Sequence, residues 1–180
     1  TRRDAVMEGQ VRARLCASAV ALAAIALPAD GACHPNPVAM RWLTESCGVG
    51  EPTDSAMELR NEGRKAQKTL ILAFTSGPSQ EDIDDVVAEA AREYEETRIA
   101  LNAGRAEGFS DAAIDAMRAI TEENEIRDAR EDFIATYKSA AASGLAILAL
   151  DKGIKLLRRV ARDQHDPDQA IAAAALEREA

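Results

Sequence analysis

With 31 acidic against 22 basic side chains in 180 residues, the chain carries a formal charge of −9. That sign opposes nonspecific association with nucleic acids and anionic lipid surfaces, both of them polyanions, so neither is an expected partner. The length suffices for one domain with a modest core, and an aromatic content of only 3% leaves Ala, Leu and Ile to build it.

The chain opens on a targeting pattern. Arg12 and Arg14 precede an uncharged apolar run over residues 15–27 (LCASAVALAAIAL), and Ala29, Gly31 and Ala32 supply small residues just beyond it. A basic segment, a short apolar segment and a small-residue cleavage point describe a secretory signal peptide. The run covers 13 residues, whereas a bilayer-spanning helix needs roughly 20. Residues 1–32 are therefore expected to be a cleaved export leader, which places the mature protein in the periplasm or outside the cell. Its removal leaves 18 basic and 28 acidic residues and a formal charge of −10. Cleavage before Cys33 would instead match lipoprotein processing, although Asp30 stands where leucine is usual. Lipidation of Cys33 is the one route to a membrane that the sequence offers.

Residues 33–52 form a cysteine-containing N-terminal segment ahead of a helical domain over residues 53–180. Cys16 lies inside the apolar run, so Cys33 and Cys47 remain as a pair 14 residues apart. In an oxidising compartment a Cys33–Cys47 disulfide closes a loop, worth on the order of 3 kcal/mol in the chain-entropy model. The rival, a metal held by Cys33, His34, Cys47 and distant His165, matches no common zinc spacing. No metal is expected.

From Pro37 onward the pattern is helical almost throughout. Residues 38–46 make a short first helix with Met40, Trp42 and Leu43 available for packing, ended by Gly48-Val49-Gly50-Glu51-Pro52. Thr53 or Asp54 caps the next, over residues 55–75, with Gly63 inside it as a point of bending. Ser76-Gly77-Pro78 stops that helix, and Ser79 with Asp82 opens a third in a near capping box. Ile83, Val87, Ala90, Tyr94 and Leu101 fall on one face of this third helix. Glu81, Asp82, Asp84, Asp85, Glu89, Glu93, Glu95 and Glu96 crowd the rest, as a solvated acidic face or as a divalent-cation site.

Asn102-Ala103-Gly104 closes the third helix and Ser110 caps a fourth, with Ile114, Met117 and Ile120 as its buried stripe. A break is expected at Glu122-Glu123-Asn124, one uninterrupted helix over residues 110–143 being the alternative. Residues 140–150 read as the packed second helix of a hairpin and Asp151-Lys152-Gly153 as a tight link. A helix over residues 154–162 follows, with Ile154, Leu157, Val160 and Ala161 inward. Asp166 caps a last helix with Pro167 at its first position and Ile171, Ala174, Ala175 and Leu176 as its apolar side.

The run Leu156-Leu-Arg-Arg-Val-Ala-Arg-Asp163, followed by Asp166-Pro-Asp-Gln-Ala-Ile-Ala-Ala-Ala-Ala-Leu176, resembles a unit of the HEAT-like repeat family over residues 136–178. The resemblance implies stacked antiparallel helical pairs, a short α-solenoid, that bind protein partners. The alternative within the same all-α class is an irregular helical bundle. No clean repeat recurs upstream, although residues 64–76 could be a diverged first helix.

No catalytic constellation emerges. His34 and His165 lie in no recognisable nucleophile motif, and Gly48-Val49-Gly50 lacks the lysine of a phosphate loop. Neighbouring carboxylates such as Glu122-Glu123 and Glu131-Asp132 point about 100° apart on a helix and are poor acid and base partners. No catalytic residue and no cofactor are expected. Lys152, Lys155, Arg158, Arg159 and Arg162 instead make a basic ridge on an acidic chain. It either complements the helix C-terminus and the acidic third helix or docks an acidic partner. The sequence therefore points to a noncatalytic extracytoplasmic binding or assembly subunit that presents helical hairpins to a protein partner or a larger assembly. A periplasmic helical chaperone is the alternative, with Trp42, Phe109 and Tyr137 as candidates for an apolar groove. An enzyme of unknown type comes third.

Overall fold

A computed structural model of the chain describes residues 35–45, 53–104 and 109–178. The protein is all-α: the described residues form eight helices and no strand. The export leader, the Cys33–Cys47 pair and His34 lie outside the described residues. The helices are α1 (Pro37–Glu45), α2 (Thr53–Glu62), α3 (Arg64–Ser76), α4 (Gln80–Asn102), α5 (Asp111–Ala119), α6 (Glu122–Leu148), α7 (Asp151–Arg162) and α8 (Gln169–Arg178). They divide into two compact units, one holding the described residues up to Gly77 and those from Thr136 onward, the other Pro78–Ala135.

In the first unit, α1 begins with Pro37, whose fixed φ suits the first helical position. Asn36 precedes it, and its side-chain Oδ1 accepts from the Ala39 amide at 3.0 Å. The same residue donates its own amide to Thr69 Oγ1 and its side-chain Nδ2 to Glu62 Oε2, each at 2.9 Å. One buried residue thus caps α1 and ties it to α2 through its side chain and to α3 through its backbone amide.

The single helix expected over residues 55–75 is two helices. Gly63 has φ 51°, where an L side chain is strained, and it ends α2 before α3 starts. Its amide donates to the Leu59 carbonyl at 3.2 Å and its carbonyl accepts from the Gln67 amide at 3.0 Å, so the chain turns without orphaning those groups.

Helix α6 runs unbroken through Gly144, because that glycine packs rather than terminates. A Cβ built there would lie 2.8 Å from Trp42 Nε1 and 2.9 Å from Leu70 Cδ1. Trp42, expected to be available for packing, is buried and donates Nε1–H to the Ala140 carbonyl at 2.8 Å. Ala140, Ala141, Ala142 and Ala146 surround this contact as small buried residues. With Leu43, Leu59, Leu70, Phe74, Leu145 and Leu157 they form a continuous core that lies wholly in this unit.

Two carbonyls at the α6–α7 junction are met by side chains from α2 and α3. Gln67 Nε2 donates to the Leu150 carbonyl at 3.3 Å, and Arg60 Nε approaches the Ile147 carbonyl at 3.5 Å. The link to α7 is Ala149 and Leu150, two residues earlier than the expected Asp151-Lys152-Gly153. Ala149 carries φ 50°, and α7 starts at Asp151. Gly153 therefore sits in the first turn of α7, buried against Leu145 and Gln67.

Helices α7 and α8 form a hairpin. Asp166 Oδ1 accepts from the Asp168 amide at 2.9 Å, as a cap would, but α8 starts only at Gln169. Pro167 belongs to the preceding turn instead. Ala172 and Ala175 are buried, whereas Ala174, expected inward, is exposed. Lys138 on α6 pairs with Asp168 in the turn at 2.6 Å, and both side chains are largely buried.

The second unit is thinner. Ser79 and Asp82 form a capping box at the start of α4, as expected. Of the expected apolar face, Ile83, Ala90 and Leu101 are buried while Val87 and Tyr94 are half-buried. Ser110 caps α5 through a bond from the Ala113 amide. The stripe expected beneath α5 is not buried: Ile114 and Met117 are half-covered and Ile120 is 40% exposed. Helix α5 ends at Ala119, Ile120 is extended, and Thr121 Oγ1 accepts from the Asn124 amide at 3.3 Å. The break therefore falls just before Glu122-Glu123, which rules out one long helix over residues 110–143.

Candidate functional site

The amphipathic helix α7 carries the densest cluster of uncommitted charge in the first unit. Successive residues on an α-helix advance about 100°, which gathers Gly153, Leu156, Leu157 and Val160 on one side. Lys152, Lys155, Arg158, Arg159 and Arg162 gather on the other. Gly153, Leu157 and Val160 are buried against the core, and all five basic side chains are exposed. None of the five has an ion-pair partner among the described residues. Elsewhere in the same unit Arg41 pairs with Glu58 and Glu45 and Lys138 with Asp168, while Arg64, Lys65 and Lys68 on α3 are, like the ridge, exposed without an ion-pair partner among the described residues. Arg159 and Arg162 occupy the last turn, where positive charge complements the helix dipole. Lys152 and Lys155 stand in the first half of the helix, where the dipole does not favour a cation, so the dipole alone does not account for the ridge.

The second unit holds an open groove of about 720 Å³ between α4 and the first half of α6. Ile83, Val87, Ile126 and Ile134 make its apolar floor, and Asp84, Glu122, Glu123, Glu131, Arg127 and Arg130 its rim. Deeper along the same helices Glu93 is half-buried, and burial pushes its carboxyl pKa up. The nearby carboxylates of Glu89 and Glu125, with a smaller push from Glu96, raise it further, while Arg92 opposes them. Arg92 is drawn to Glu89 and lies 3.9 Å from Glu96.

Other expected site residues are dispersed. His165 is exposed in the α7–α8 turn, where its amide donates to Asp163 Oδ1 at 3.0 Å. No group of three or more His, Cys, Asp or Glu side chains that could hold a metal occurs among the described residues. No helix among them is long and apolar enough to cross a membrane. Of the three aromatic residues suggested for an apolar groove, Trp42 is core and Tyr137 is half-buried. Phe109 is 42% exposed. The pairing of Lys138 with Asp168 went unread, since residues 30 apart on different elements leave no local signal.

No protein-family model, curated protein or solved structure matches this chain.

Proposed function

We propose that the protein is a noncatalytic binding or assembly subunit whose α7 ridge docks an acidic surface of a protein partner. One observation carries this reading. Five exposed cations lie on one face of one helix, without carboxylate partners among the described residues, in a chain of net charge −9. An acidic chain gains little from an unpaired cationic ridge unless something outside it supplies the counter-charge. The likeness of the α7–α8 hairpin sequence to a HEAT-like unit supports the same role, since such units bind partners across helical surfaces. The basic and apolar pattern over residues 12–27 supports an extracytoplasmic setting for it.

Affinity capture from a native extract tests the proposal, comparing the unaltered chain with the double variant Arg158→Glu and Arg159→Glu. A second double variant, Lys65→Glu and Lys68→Glu, makes the same charge change on exposed positions of α3. The ridge variant is expected to lose a partner that the α3 variant retains, and added salt should weaken the retained complex. Identical recovery by all three chains, or no specific recovery by any, contradicts the proposal.

A further inference from the structure

We infer that the groove between α4 and the first half of α6 is a homodimer face that receives a second copy of this chain, its α6 crossing antiparallel at Ile126. This inference stands apart from the α7 reading and uses a different unit. Among the described residues of Pro78–Ala135 only Ile83, Ala90 and Leu101 are buried apolar side chains, while Val87, Ile126 and Ile134 line an open groove half-covered. A helical layer with so little core gains stability by burying its apolar side against another layer.

The rim indicates which layer. Asp84, Glu122, Glu123 and Glu131 would repel an acidic occupant, and Arg127 and Arg130 would repel a basic one. A surface carrying both signs around an apolar floor is complementary to itself only in a register that sets its basic residues against its acidic ones, as a two-fold interface requires. The spacing supplies the register. Glu122, Ile126 and Arg130 are four residues apart, about 40° around the helix from one to the next, so they form one row. Turning that row end for end about Ile126 sets Glu122 of each copy against Arg130 of the other and Ile126 against Ile126. Neither Glu122 nor Arg130 has an ion-pair partner among the described residues.

Sedimentation equilibrium of the full chain, from nanomolar to high micromolar concentration, tests the inference. A reversible monomer–dimer equilibrium is expected. Glu122→Arg or Arg130→Glu alone should weaken the dimer by roughly tenfold, and the two together should restore it, because each swapped charge again meets its opposite. Ile126→Asp should abolish dimerisation. The ridge variant Arg158→Glu with Arg159→Glu should leave it unchanged, which separates this face from the proposed partner surface. Circular dichroism confirms that each variant remains helical. A chain that stays monomeric throughout, or a dimer that the double swap fails to restore, overturns the inference.

Discussion

Gly144 and Ala149 show how much of the first unit rests on single backbone positions. A methyl at Gly144 would meet Trp42 Nε1 and Leu70 Cδ1 below 3.0 Å. Gly144→Ala must therefore displace the indole that bonds the Ala140 carbonyl, and overpacking of this kind costs about 1–3 kcal/mol. Denaturant unfolding followed by fluorescence of Trp42, the chain's single tryptophan, should show the loss together with a shifted native emission. Ala149 is the converse case. Its φ of 50° is strained for alanine, so Ala149→Gly should stabilise the fold by up to about 1 kcal/mol in the same experiment. Asn36 makes three bonds to three helices, and Asn36→Ala should cost about 2 kcal/mol by removing a cap and leaving buried groups unanswered. Little of this was readable beforehand. Glycine in a helical pattern signals a break as readily as a close contact, and Gly63 and Gly144 take opposite roles because only Gly144 faces a large side chain across the core.

At the scale of elements, helix starts carrying their own caps were legible: Ser79 with Asp82 and Ser110 open α4 and α5 where the side chains indicate. The start of α7 was not, because Leu150 precedes it without a side-chain cap and the turn depends on the strained Ala149 and on Gln67 reaching across from α3. The stripe of α5 was misread for a related reason. Ile114, Met117 and Ile120 have helical spacing, but spacing does not guarantee a layer to pack against.

Helix α4 yields a test by pH. Burial raises the pKa of Glu93 in the folded state, so the native protein holds that proton more tightly than the unfolded chain does. Its stabilising contribution is complete in acid, below the ordinary carboxylate range, and is lost as pH rises through the elevated folded value. Glu93→Gln removes the charge and should raise the thermal midpoint at neutral pH, where Glu89, Glu125 and Glu96 still repel the native carboxylate. The advantage should disappear in acid, where both side chains are neutral. Thermal melts across that range show whether the two curves converge.

For the whole molecule, the division between a cored unit and a thin one sets the order of opening. Every residue of the continuous hydrophobic cluster belongs to the first unit. Native-state hydrogen exchange of the monomer should therefore release the amides of α4 and α5 well before those of α3 and α7. The all-α class was legible from composition and period. The two-unit division was not, because α6 crosses from one unit into the other without a break in sequence pattern.

The basic ridge on α7 is the central functional claim, and hydrogen exchange of the captured complex tests it most directly. Binding should protect amides in Asp151–Arg162 and the turn that follows, beyond their protection in the free chain, and leave α4 and α5 unchanged. Protection confined to other helices, or no specific partner to form a complex with, would contradict a docking role for Lys152, Lys155, Arg158, Arg159 and Arg162.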